Sequence, residues 1–124
     1  MSVDKRFRRG LELFNRRDYF EAHEVIEELW LETSSGNPYR DLYKGVIQAA
    51  AALYQWERGI LTGALGLYKT SVKYLGRYEP RALGLDVKKS IQDMRRCFAE
   101  FENWYGKSGL ILEDKRVPVI EYKF

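Results

Sequence analysis

Gly45-Val46-Ile47-Gln48-Ala49-Ala50-Ala51-Ala52-Leu53 is apolar all the way round a helix except at Gln48. A helix with no polar face has to be covered on every side, so the segment from about Tyr39 to Arg58 is predicted to be the central helix of a bundle. Gly59 ends it as a C-terminal cap. Upstream, Phe7, Leu11 and Phe14 recur at helical spacing and predict a helix over residues 3–16, with Ser2 as N-cap. Asp18 and Glu21 have the spacing of a capping box and open a second helix, whose stripe is Ala22, Val25, Ile26 and Leu29. Thr33 to Pro38 is a loop rich in turn residues. Thr62 is predicted to cap a fourth helix running to about Leu75, and Asp86 a fifth running to about Trp104.

The expected fold is therefore all-α: one domain over residues 1–124, a bundle of about five helices built from helical hairpins. Residues 106–124 contain Gly106, Gly109 and Pro118 and read as an extended tail packed across the bundle. Their strand-like end, Val117 to Tyr122, has no evident partner strand. A faint echo links Leu13-Phe14-Asn15 to Leu53-Tyr54-Gln55 and Ala22 to Ala64, which is the grammar of repeated helical hairpins.

A length of 124 residues supports a single core, burying roughly two-thirds of the unfolded surface. The 21 Lys and Arg against 18 Asp and Glu leave a net charge of only +3, small for a dedicated nucleic-acid binder, and nucleic acid is not an expected partner. Residues 1–17 are rich in bases and residues 18–32 carry acids but no Lys or Arg, so two solvated faces are expected to attract each other. The lone Cys97 excludes an internal disulfide and reads as a buried, inert thiol. No uncharged run approaches the roughly 18 residues of a membrane span, so no membrane role and a cytoplasmic location are expected.

One segment could carry chemistry. In Asp18-Tyr19-Phe20-Glu21-Ala22-His23-Glu24-Val25-Ile26-Glu27-Glu28-Leu29-Trp30, the margin of the apolar stripe holds His23, Glu27 and Trp30 together. Glu21, Glu24, Glu28 and Glu32 fall on the opposite, solvated side. A carboxylate one turn from an imidazole orients it for acid–base work. The same pair also suits a satisfied histidine at the edge of the core, whose loss would cost about 1–3 kcal/mol. Gln48 needs a partner in its apolar surroundings, and His23 or a nearby carboxylate is a natural choice. The four side chains are thus expected to converge between the second and third helices. His23-Glu24-x-x-Glu27 lacks the second histidine of a zinc protease, and Phe20 stands where a di-iron bundle needs a Glu, so no metal or cofactor is expected.

Tyr19-Phe20-Glu21-Ala22-His23-Glu24-Val25-Ile26-Glu27-Glu28-Leu29-Trp30, together with Gly45 to Tyr54 and Gly63-Ala64, resembles the signature of a small prokaryotic family, domain of unknown function 309. The resemblance covers the first two-thirds of the chain. It implies a compact all-α bundle of bacterial or archaeal origin. It also implies that Glu21, His23, Glu24, Glu27, Trp30 and Gln48 match the family's motif positions. It implies no activity.

Two functions stay open. One is a non-enzymatic domain that binds an unknown protein or small molecule, or itself. The other is a small hydrolase with His23 as general base oriented by Glu27, alone or assisted by a metal. The sequence offers no nucleophile motif, phosphate loop or cofactor fingerprint, which favours the first. A dimer is expected because Tyr68, Tyr74, Tyr78, Tyr105, Tyr122 and Phe124 exceed the needs of one small core, and the apolar tail has no obvious place to pack.

Overall fold

The computed structural model describes residues 3–104, 106 and 109–124. It holds five α-helices among the described residues: α1 (Lys5–Asn15), α2 (Tyr19–Glu32), α3 (Arg40–Glu57), α4 (Leu61–Leu75) and α5 (Val87–Phe98). A two-stranded ribbon, β1 (Arg81–Ala82) and β2 (Leu85–Asp86), precedes α5. The all-α expectation is met.

As its sequence demands, α3 is the centre. Leu42, Val46, Ile47, Ala49, Ala50, Ala52, Leu53 and Trp56 are all buried, and α2 and α4 cover it from two sides. Close approach depends on glycine at two crossings. A Cβ on Gly10 of α1 would stand 2.2 Å from Ile26 Cγ1 of α2, and one on Gly45 of α3 would stand 2.7 Å from Leu75 Cδ2 of α4. The Gly45 carbonyl also accepts a 2.7 Å hydrogen bond from the buried Ser71 hydroxyl.

The helix starts differ in detail from those expected. Asp4 caps α1, accepting from the Arg6 amide at 2.8 Å; Ser2 lies outside the described residues. Asp18 precedes α2 without a side-chain cap bond and pairs instead with Arg16 at 3.6 Å, so the capping box is not formed. Ile60, not Thr62, is the N-cap of α4, and Thr62 lies inside the helix. Asp86 caps α5 as expected, accepting from the Lys89 amide at 3.0 Å. The helix stops at Phe98 and a 3₁₀ turn carries the chain to Asn103.

The echo is real, but its spacing is constant. After α1, the amides of Arg17 and Asp18 bond the carbonyls of Phe14 and Leu13, each at 2.9 Å. After α3, the amides of Gly59 and Ile60 bond those of Trp56 and Gln55, each at 2.9 Å. Both are Schellman motifs with a left-handed residue, Arg17 (φ 69°) or Gly59 (φ 77°). The match runs Phe14 to Trp56, Arg17 to Gly59 and Ala22 to Ala64. Leu11, rather than Leu13, is therefore the counterpart of Leu53.

The tail does find a partner. Leu83 and Gly84 both take positive φ and turn β1 into β2. The end of the chain lies along this ribbon: the Asp86 amide donates to the Glu121 carbonyl at 2.9 Å and the Lys123 amide to the Gly84 carbonyl at 2.8 Å. Ile120 is buried beneath. The expectation of an unpartnered tail is thus corrected. Near the surface, Tyr68, Tyr74, Tyr78 and Tyr122 are half-buried, and Tyr68 and Tyr122 stack on Phe98 and Phe124. Phe124 stays exposed, and Tyr105 lies outside the described residues.

Candidate functional site

The antiparallel contact of α2 with α3 builds the site. His23 and Glu27 stand one turn apart on α2, with His23 Nε2 3.1 Å from Glu27 Oε2. Neither is buried; their side chains are 28% and 42% exposed. The groove in front of His23 is a half-open cleft of about 150 Å³ lined by Phe20, His23, Ala51, Tyr54 and Gln55. Phe20 packs on Tyr54 with ring centroids 5.3 Å apart and lies 6.3 Å from the imidazole. Three rings and the small Ala51 thus shape a cleft open to water.

Of the other expected members, neither Trp30 nor Gln48 lines this cleft. Trp30 is half-buried, and its ring lies under Arg40 and Lys44 of α3, at 4.2 Å and 4.3 Å from the centroid. Its indole N–H is buried without a partner. Gln48 Oε1 is also buried without a partner, and no hydrogen bond joins Gln48 to His23 or Glu27 among the described residues. Glu21 and Glu24 are exposed, and Glu21 borders a neighbouring cleft with Arg17, Tyr54 and Glu57.

Sequence reasoning passed over Gln55, whose Oε1 is buried and unpartnered at the groove. The signal was there: Gln48 and Gln55 are seven residues apart, hence on one face of α3. Phe20 and Tyr54 were missed because neither belongs to the apolar stripes that the spacing picks out. The expected attraction of acid and base is present elsewhere on α2, where Arg6 of α1 reaches Glu28 at 3.5 Å and also bonds Glu32.

Among the described residues, no three His, Cys, Asp or Glu side chains converge on a point that could hold a metal ion. Nor is any helix long and apolar enough to cross a membrane. The arrangement can offer an imidazole steadied by a carboxylate, an amide, and aromatic walls. Its lining includes no Ser, Thr or Cys that His23 could activate.

The two helices that build this groove, α2 and α3, lie within a stretch of known sequence that runs from α1 into α4. The family model described as Domain of unknown function (DUF309) matches residues 7–67. The chain is also similar to a Bacillus subtilis (strain 168) protein, "Uncharacterized protein YpuF", being 35% identical over 108 residues. That match takes in 85% of this chain and 61% of the relative, so the chain spans less than two-thirds of the relative's length. Through residues 7–67, the stretch that carries His23, Glu27 and the groove, the chain is thus similar to the family Domain of unknown function (DUF309).

Proposed function

We propose that the protein is a non-enzymatic interaction domain that pairs with a second copy of itself. The pairing face is the end of the bundle where the α1–α2 and α3–α4 turns lie. The observation that carries this reading is the exposure of large apolar side chains there. Phe20 and Ile60 are each 46% exposed and Ile111 is 74% exposed. Adjoining clefts connect Phe20 with Ile111, one holding Phe20 with Arg17 and Glu57, the next holding Arg17 and Glu57 with Gly59 and Ile111. Apolar surface gathered in this way marks contacts.

The charges at this end suit a two-fold partner. Arg16, Arg17 and Arg58 stand beside Asp18, Glu21 and Glu57. A patch of both signs can meet its own copy without like-charge conflict, as an isologous interface requires. The test is light scattering and sedimentation across a wide concentration range. The expected result is a dimer mass for the natural chain and a monomer mass for a Phe20→Asp, Ile60→Asp double variant that melts like the parent. A monomer mass for the natural chain at high concentration overturns the reading.

A second reading rests on a different observation, the openness of the cleft over His23. Glu27 holds one ring nitrogen and leaves the other free to take a proton from a bound ligand or a water molecule. On that reading the protein is a small hydrolase with His23 as general base. Hydrolysis of model esters, amides or phosphoesters by the natural chain, lost in His23→Ala and reduced in Glu27→Gln, would support it.

A further inference from the structure

A separate cleft lies between α4 and α5, which touch only sparingly. It encloses about 410 Å³, within the range of small-molecule sites, and its lining includes Tyr68, Lys69, Arg95, Phe98 and Glu102. Its floor is aromatic. The Tyr68 ring lies flat on Phe98, with centroids 4.4 Å apart and planes within 4°, and Phe98 stacks in turn on Phe101 at 5.3 Å.

Its rim is cationic, from both helices. Asp93 engages two other α5 cations, Lys89 and Arg96, at 2.6 Å and 3.9 Å. Lys69 and Arg95 form no ion pair among the described residues. At the far end stands the exposed carboxylate of Glu102. The helical and 3₁₀ rise from Arg95 to Glu102 is about 10–12 Å. Burial raises the Tyr68 phenol, while Arg95 and Glu102 act on it with opposite sign, so both charges face the same ring.

A stacking wall, two free cations and one distant acceptor describe a ligand with three matching parts. We propose that this cleft binds a planar aromatic anion of the nucleoside monophosphate class. The ring packs against the Tyr68–Phe98 stack, and its phosphate sits between Lys69 and Arg95. A ring amine donates to Glu102. Stacking supplies the apolar contact, and the guanidinium and ammonium supply charge-assisted hydrogen bonds to phosphate oxygens. The span of the rim separates this ligand from a bare anion, which needs only the cations.

The test is titration of the isotope-labelled protein with AMP, followed by NMR. Adenosine, inorganic phosphate and an aryl carboxylate are run as separate arms. The expected result is saturable binding of AMP, with the largest shifts at Tyr68, Lys69, Arg95 and Phe98. Adenosine and phosphate alone should bind at least about tenfold more weakly. Lys69→Gln and Arg95→Gln, both at exposed positions, should each weaken AMP by about tenfold or more while the protein still melts cooperatively close to the parent. No saturation, shifts centred elsewhere, or unchanged binding in both variants overturns the proposal. Phosphate matching AMP reduces the site to an anion patch and overturns the aromatic assignment. An aryl carboxylate binding more tightly than AMP overturns the nucleotide assignment.

Discussion

Arg17 occupies the same left-handed position after α1 that Gly59 occupies after α3, at φ values of 69° and 77°. The backbone bonds around the two residues are alike, so the motif is set by the hairpin and not by glycine. Glycine reaches this conformation freely, whereas a side chain costs about 1 kcal/mol. Arg17 offsets that cost through its 2.6 Å bond to Asp114 and its 3.7 Å approach to Glu57. Gly59→Ala should therefore lose about 1 kcal/mol, a purely conformational cost, since nothing lies within 4 Å of its added Cβ. Arg17→Gly should change stability by less than about 1 kcal/mol, because relief of strain opposes the loss of exposed ion pairs. Chemical denaturation of the two variants checks both figures.

His23→Ala should leave stability nearly unchanged, by less than about 1 kcal/mol. The pair it breaks is solvated, with His23 28% and Glu27 42% exposed, and exposed pairs contribute little. The sequence suggested a half-buried, satisfied histidine at the edge of the core, with a loss of about 1–3 kcal/mol if a buried partner were stranded. The solvated pair at the margin of α2 argues for the smaller figure. A melting temperature lowered as if by loss of a core contact would restore the structural role.

Trp56 and Trp30, two of the three tryptophans, should respond differently to loss of the indole N–H. Trp56 Nε1 donates to the Leu110 carbonyl at 3.1 Å, while Trp30 Nε1 is buried with no partner. Trp56→Phe should cost about 1–2 kcal/mol, by stranding a carbonyl, and Trp30→Phe should be close to neutral. Trp30→Ala should cost about 2 kcal/mol, below the range of about 3–5 for a fully buried ring, because Trp30 is only half-buried. Equal losses in the two Phe variants would contradict this assignment.

What the sequence made legible was periodicity. The unbroken apolar run of α3 placed it at the centre, and the spacing along α2 put His23 beside Glu27. What it hid was anything set by the partner helix. Gln48 is flanked by apolar residues and drew attention, yet it is Gln55, one more double turn along, that lines the groove. Phe20 and Tyr54 lie outside the apolar stripes that the spacing picks out, and their packing on each other is made only across the two helices. The tail's pairing was invisible because β1 and β2 are two residues each, too short to give an alternating pattern.

Stability should fall on the alkaline side through Cys97. Its thiol is fully buried, and burial pushes it from 9.0 up to about 12. Between those values the unfolded chain releases a proton that the folded chain keeps, so rising pH favours unfolding across that window. Below it the thiol is neutral in both states and adds no slope. Cys97→Ala should flatten this alkaline decline, and a thiol reagent should label the natural protein only on unfolding. Rapid labelling of the folded protein at neutral pH would contradict the burial of Cys97.

Asn15 should decide whether the C-terminal segment stays on the bundle. Its side-chain amide donates to the Ile120 carbonyl at 2.9 Å and its oxygen accepts from the Ile120 amide at 2.8 Å. One side chain thereby satisfies both backbone groups of a residue whose own side chain is buried in the core. Asn15→Ala strands both groups, at a cost of about 2–3 kcal/mol. Asn15→Asp keeps the acceptor and sets a carboxylate oxygen against the Ile120 carbonyl, so it should fall between Ala and the natural residue. The tail is also held by its bonds to the ribbon before α5, by Trp56 on the Leu110 carbonyl and by the Arg17–Asp114 and Arg116–Glu100 pairs. The loss should therefore show first as local release. Hydrogen exchange at Ile120 and Lys123 should speed up more than at α3, and a protease should cut within 109–119 before the helices open. Uniform acceleration across α3 and the tail would mean instead that the segment and the bundle unfold as one unit.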